Sequence, residues 1–353
     1  MKQDPNLDIL RSIAVLSVFG THWVQVLDGL PLKISYALGI DLAALGHAGV
    51  LLFFVHTCRV LMQSLADKGA TLSGWPLARH FYTRRAFRIY PLSTCLILLT
   101  VACGIPPNAL HVMYQWQGMR WLIGNLLLMQ HVFAVEPAST PLWSLPHEVQ
   151  MYLVLPLLFW WLNGRGIGRL VMVYAGGLAL SAVFPHLWTG RGHLLFHFVP
   201  CFLGGVLAYG LASVVEPRAP ARLWSLSLLA VILAYVEAPY SDASWAKNSL
   251  LCALVGLMIP WFRSNRGAGS KIAAWIARYS YGIYLAHTPL LWLMYRHSGL
   301  RGWQAAALFL IAAISVSAAA YHLIEAPLIR LGTRIANRHA PRALLRVASP
   351  SSA

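Results

Sequence analysis

Residues 7–27 read LDILRSIAVLSVFGTHWVQVL. The run has membrane-spanning length and is apolar apart from a few positions, of which Asp8, Arg11 and His22 can ionise. At about 100° per residue, the step from Arg11 to His22 is roughly 20° beyond three turns. The two side chains therefore share one stripe, about 16 Å apart along the axis. Ionisable groups inside a membrane helix are costly and mark functional sites. A structural reading is also open, with Asp8 and Arg11 at the water interface and His22 satisfied in the core.

The remainder of the chain has the same character. Of 353 residues, 58% are hydrophobic and 11% charged, with a mean hydropathy of +0.61. Repeated long apolar runs then imply an all-α, polytopic membrane helix bundle embedded in the lipid bilayer. The net charge of +16 does not point to nucleic acid, because the arginines lie in short loops between apolar runs, as the positive-inside rule requires. The five cysteines form no CxxC pair, so neither a disulfide framework nor a zinc site is expected. No small-residue cleavage site follows the first run, which reads as an uncleaved signal anchor.

Ten spans are expected, at about 7–27, 43–64, 88–104, 146–163, 168–184, 194–213, 223–237, 247–263, 273–297 and 303–325. The apolar stretch 121–133 is short for a crossing, and charge decides its place. If it does not cross, one side receives the N-terminus, loop 65–87, the 163–169 turn, 216–222, 263–271 and the tail, which together hold most of the Lys and Arg residues. The opposite loops hold one each: Lys33, Arg120, Arg191, Lys247 and Arg301. Residues 121–133 are therefore expected to be re-entrant or interfacial on the outer side, with both termini cytoplasmic. One membrane domain is expected over 1–330. A basic cytoplasmic tail follows over 331–353, a short interfacial helix giving way to disorder.

Three further clusters carry chemistry. The segment FYTRRAFRIYPL brings Arg84 and Arg88 to one face at i,i+4, with Arg85 beside them. At the start of a helix beginning near residue 88, these guanidinium groups would hold phosphates; ordinary charge anchoring is the plainer reading. In PLWSLPHEVQMYLVLPLL, Pro146 suits a first helical turn, and Glu148 then enters the membrane from the outer side with Tyr152 one turn deeper. That carboxylate would face a cavity or clamp a loop. In ARYSYGIYLAHTPLL, Tyr284 and His287 lie near one face, and Glu325 marks the inner boundary of the last span.

These motifs occur in a fixed order: Arg11 and His22 at RX10H spacing, Arg84-Arg85-x-x-Arg88, Trp143-Ser144-Leu145-x-x-Glu148, Ser280-Tyr281-Gly282-Ile283-Tyr284-Leu285-x-His287, and Glu325-x-Pro327. Together they resemble the membrane-bound acyltransferase 3 family, bacterial O-acyltransferases of surface glycans and some small molecules. The resemblance covers residues 7–327. One departure stands out. Where many members carry Phe-Phe-Val-x-Ser-Gly-Phe, this chain has Phe53-Phe54-Val55-His56-Thr57-Cys58-Arg59.

The resemblance implies an acyl-coenzyme A co-substrate, most often acetyl-CoA, entering from the cytoplasm of a bacterial inner membrane. No metal or permanently bound cofactor is implied. Arg84, Arg85 and Arg88 would hold the phosphates. His22 would act as general base on a glycan or small-molecule hydroxyl, an acyl-histidine being the less favoured variant. Arg11 would orient the donor and pair with Asp8, and Glu148 would position the acceptor or the outer loop. His56, Tyr284 and His287 are secondary candidates. The rival reading is a transporter or flippase of an acylated sugar or small molecule without acyl-transfer chemistry. Such a protein would have no need of an arginine cluster for coenzyme A phosphates.

The charge reading has a direct test. In a background with the native cysteines replaced by serine, a cysteine at Pro137 or Ser241 should label with an impermeant maleimide from outside, and one at Ala219 should not. Outside labelling at Ala219 would put a crossing at 121–133.

Overall fold

Long apolar runs in hydrocarbon satisfy their own backbone groups by becoming helices, and this chain does so throughout. The computed structural model describes residues 4–27, 39, 41–110, 113–187, 195–237 and 244–338. Its helices are α1 (Pro5–Gln25), α2 (Leu42–Gly69), α3 (Gly74–Ala102), α4 (Met119–Leu126), α5 (Gln130–Phe133), α6 (Leu145–Leu162), α7 (Ile167–Leu187), α8 (Val199–Leu211), α9 (Trp224–Glu237), α10 (Trp245–Met258), α11 (Ala268–Trp292), α12 (Gly302–Ala320) and α13 (Ala326–Arg338). No β-strand is present among the described residues, only an isolated bridge between Ala219 and Phe262.

Each of the ten expected spans falls on a helix. Among the described residues, five helices are long and apolar enough to cross a membrane by length and composition alone: Pro5–Gln25, Leu42–Gly69, Gly74–Ala102, Ile167–Phe184 and Gly302–Arg338. The last of these is α12 and α13 running on through a π-helical turn at Tyr321–Glu325. Large apolar side chains on the outer helices stay exposed, among them Leu157 and Trp160 on α6, Val171 on α7, Leu226 and Leu233 on α9, and Ile311 and Ile314 on α12. Apolar faces of this kind belong against lipid. The molecule is a multi-pass membrane protein.

The stretch 121–133 does not form one helix. It breaks between α4 and α5 at Leu128, whose φ of +53° lies in the left-handed region. The buried Asn125 holds the fold-back. Its amide nitrogen donates to the Trp121 and Glu136 carbonyls at 2.9 and 3.0 Å, and its Oδ1 accepts from Gln130 Nε2 and the Ala138 amide. Backbone groups that leave the helical ladder at membrane depth need such partners.

One boundary is corrected. The third span begins at Gly74, well before 88, so Arg84, Arg85 and Arg88 lie within a continuous helix and not at its N-terminus. The polar segment 74–87 continues the helix because it packs against α13, with Gly332 facing Phe87 and His80 bonded to Asn337. The Ser241 position, the loop residues Lys33 and Arg191, and residues 339–353 of the tail lie outside the described residues.

Helix α1 is clasped between α2 and α11. Beyond α2 come α8 and then α10, and α12 flanks α11. The centre is packed at backbone distance. A Cβ on Gly204 would stand 2.5 Å from the Cys252 carbonyl oxygen, and one on Gly205 would meet the Val55 carbonyl and stand 2.7 Å from the Arg59 amide. Close approach through small residues is how membrane helices gain contact where no hydrophobic effect drives them together. The obstructing atoms are backbone and cannot swing aside. Gly205→Val should therefore lower stability by about 1–3 kcal/mol, read as a lower thermal midpoint in detergent. An unchanged midpoint would show that α2 and α8 do not touch there.

Candidate active site

Two internal cavities lie along the stripe of α1. The smaller, about 100 Å³, is lined by Arg11 of α1, His56 and Thr57 of α2, Arg85 and Arg88 of α3, Ser144, Glu148 and Tyr152 at and within α6, and Ser280, Tyr281 and Tyr284 of α11. The larger, about 740 Å³, is lined by Thr21, His22 and Gln25 of α1, Gly46 and His47 of α2, residues 130–137 of the folded-back segment in part, Trp143, Phe198 and again Tyr284. Arg11 and His22 thus share a stripe and serve different cavities. Tyr284 borders both.

The wall at Tyr284 is built from three polar groups. Its hydroxyl donates to the Pro141 carbonyl at 2.9 Å and lies 2.8 Å from Ser144 Oγ. Phe53 meets its ring edge-on. Pro146 sits in the first turn of α6, as expected, and Ser144 stands at the N-cap without a side-chain cap bond. Its hydroxyl serves the wall instead.

In the arginine-lined cavity Arg11, Arg88 and Glu148 each meet a partner. Arg11 Nε donates to Ser280 Oγ at 2.6 Å. The expected Asp8–Arg11 ion pair is corrected: among the described residues no such pair forms within 4.0 Å. One turn above Asp8, Arg11 turns towards α11, where the serine hydroxyl is the available acceptor. Arg88 pairs with Glu325, which is 2% exposed, and lies over the Tyr281 ring at 5.2 Å. Glu325 is therefore more than a boundary marker. Tyr152 donates to Glu148 Oε2 at 2.7 Å across one helical turn, as their spacing predicts. Glu148 itself lines the arginine cavity and not the larger one. The reason is the helix turn: residue 148 lies beneath the Ser144–Tyr284 wall.

The arginine triplet divides. Arg85 and Arg88, three apart, face the cavity together. Arg84 borders a separate niche of about 10 Å³ with Lys68 and His80, and Arg85 reaches both spaces. The expected shared face of Arg84 and Arg88 gives way to the i,i+3 pair, which packing against α13 turns inward. Arg11 and Arg85 line this cavity with guanidinium groups of the kind that hold a phosphate or a polarised carbonyl, while Arg88 is paired with Glu325.

In the larger cavity, His22 Nδ1 lies 2.8 Å from His287 Nε2, with the rings stacked at 5.0 Å. His287 is 1% exposed. Trp143 stacks parallel to His47, with Phe198 against both. The His131 and His147 rings meet at a tilt nearby, 4.6 Å apart. The pairing of His22 with His287, and the parts played by Ser144 and Ser280, are invisible to motif spacing, because the partners of His22, Ser144 and Arg11 lie 140 or more residues away.

The bundle thus has a half-buried histidine facing one cavity and arginines facing another. A family profile, Acyl_transf_3, described as an acyltransferase domain, matches residues 4–322. The chain belongs to that family and is an acyltransferase. Similar proteins include the acyltransferase MdmB of Streptomyces mycarofaciens, 27% identical over 93% of this chain and 92% of the relative. The peptidoglycan O-acetyltransferase OatA of Listeria monocytogenes is 25% identical over 94% of this chain, which spans 56% of that relative. Nodulation protein 10 of Rhizobium leguminosarum is 23% identical, covering 94% and 95%. No solved structure matches. Family membership sets aside the transporter alternative.

The buried pair at the floor of the site is open to measurement. Glu325→Ala would strand Arg88 without its counter-charge at a cost of about 3 kcal/mol, the low end for a buried pair because the Arg88 side chain is 19% exposed. Adding Arg88→Ala should recover part of that loss in a double-mutant cycle. Additive losses in chemical denaturation would show that the two groups do not interact.

Proposed function

We propose that the protein moves an acyl group, acetyl in the first instance, from acyl-coenzyme A to a hydroxyl of a glycan or small-molecule acceptor. The observation that carries this reading is the pair of cavities meeting at Tyr284, one lined by arginines and the other by His22. Coenzyme A presents a pyrophosphate and a 3′-phosphate, and Arg84 and Arg85 are the groups offered to them, with Lys68 beside Arg84. Arg88 is already engaged by Glu325 and shapes the entrance. The pantetheine arm then runs past Arg11 towards Tyr284, along the stripe of about 16 Å that separates Arg11 from His22.

The acceptor enters the larger cavity, whose aromatic and amide side chains suit a sugar. A glycan acceptor is supported by the relative named as a peptidoglycan O-acetyltransferase. His22 takes the acceptor's hydroxyl proton as the oxygen attacks the thioester carbonyl. Arg11 and Glu148 orient the donor side. No metal or resident cofactor enters this scheme. With the basic segments facing the cytoplasm, the donor arrives from inside a bacterial inner membrane and the acceptor from the far side.

His22→Gln keeps a hydrogen-bonding side chain but cannot take the proton. It should reduce acyl transfer by about 10²- to 10⁴-fold while leaving acetyl-CoA affinity unchanged. Arg85→Ala should do the reverse, weakening acetyl-CoA binding by about 10-fold or more. Purified protein in detergent with radiolabelled acetyl-CoA and candidate glycans provides both readouts. Wild-type protein that binds no acetyl-CoA at millimolar concentration would refute the donor assignment, and a His22→Gln enzyme above about a tenth of wild-type rate would refute the base.

A further inference from the structure

We infer that His287 is a positioning residue that selects the tautomer of His22, holding the proton on His22 Nδ1 and leaving the Nε2 lone pair free for the acceptor. The inference rests on the reading of His22 as base and deepens it. It follows from which atoms can accept. His287 Nδ1 lies 2.8 Å from the Tyr284 carbonyl oxygen and 3.1 Å from that of Ile283, one turn back on α11. A carbonyl oxygen only accepts, so His287 Nδ1 carries a hydrogen. In the neutral ring, His287 Nε2 is then a bare acceptor. It lies 2.8 Å from His22 Nδ1, and two lone pairs do not make a hydrogen bond. His22 Nδ1 must supply the proton. The one remaining basic nitrogen of the pair is His22 Nε2, on the residue that lines the larger cavity while His287 does not.

Packing keeps this order in place. The His287 ring stacks on His22 at an interplanar angle of 23° and touches Phe19 and Tyr284. It is 1% exposed, so water does not compete for Nε2. The backbone of α11 thus dictates the tautomer of a side chain on α1, through one ring. A second group that orients the base by accepting from its far nitrogen recurs wherever histidine is used catalytically.

The proton count closes. His22 Nε2 takes the hydroxyl proton as the acceptor oxygen bonds to the thioester carbonyl carbon. His22 is then an imidazolium whose Nδ1–H donates to His287 Nε2, a charge-assisted bond. When the C–S bond breaks, the departing sulfur receives the proton from His22 Nε2. The products are the ester and coenzyme A thiol, and His287 ends as it began.

Two measurements test this. In wild-type protein uniformly labelled with 15N-histidine, with the His22 signals identified by their absence in His22→Gln, Nδ1 should give the shift of a protonated nitrogen and Nε2 that of a bare one. The reverse pattern would overturn the proposal whatever the activity of any variant. In kinetics, His287→Leu should lower kcat by about 10²-fold with acetyl-CoA affinity within about twofold of wild type. His287→Gln, whose Oε1 can still accept from His22 Nδ1, should keep at least about a tenth of kcat. Equal loss in the two variants with donor binding intact, or full kcat in His287→Leu, would overturn it. Should His22→Gln be active, the base assignment fails, and the 15N result still decides the tautomer separately.

Discussion

A charge or dipole in hydrocarbon must find its partner within the protein, because no water is there to provide one. This constraint organises the interior. Arg11 meets Ser280, Arg88 meets Glu325, Tyr152 meets Glu148 and His22 meets His287. Three of these pairs join helices that the chain order keeps apart, Tyr152–Glu148 lying within α6, and α11 supplies three partners if Tyr284 is counted with Ser280 and His287. Loss of any one would leave a buried polar group facing apolar side chains.

The same constraint explains why the two cavities stay distinct. A single polar channel through the bundle would carry water and ions across the membrane. Tyr284, bonded to Ser144 and the Pro141 carbonyl, divides the interior into two basins. In the proposed reaction the thioester is the group that meets the acceptor there, and water is the competitor to be kept out.

Close packing at Gly49 against the Ala14 carbonyl seats α2 on α1, and Gly204, Gly205 and Gly256 lock α2, α8 and α10 together behind it. Rigid placement matters because proton transfer demands hydrogen-bond distance, and the 2.8 Å contact between rings on α1 and α11 leaves little slack. The π-helical turn at Tyr321–Glu325 plays a comparable part at the other end. By inserting an extra residue into the turn, such a bulge re-aims one side chain. Here it lies where Glu325 turns into the bundle to meet Arg88.

Helix positions, the stripe joining Arg11 to His22 and the Glu148–Tyr152 contact were legible in the sequence, because hydropathy and the 3.6-residue period are local properties. The shortness of the apolar stretch 121–133 was legible too, and the structure divides it into two short helices. Tertiary structure alone decided which ionisable groups meet. It turned Arg11 from Asp8 to Ser280, drew Arg88 to Glu325, ran α3 back to Gly74 against α13, and set Glu148 among the arginines. Those outcomes depend on helix rotation and on residues more than a hundred positions away. No local period encodes them, whereas the cost of an unpaired buried charge does.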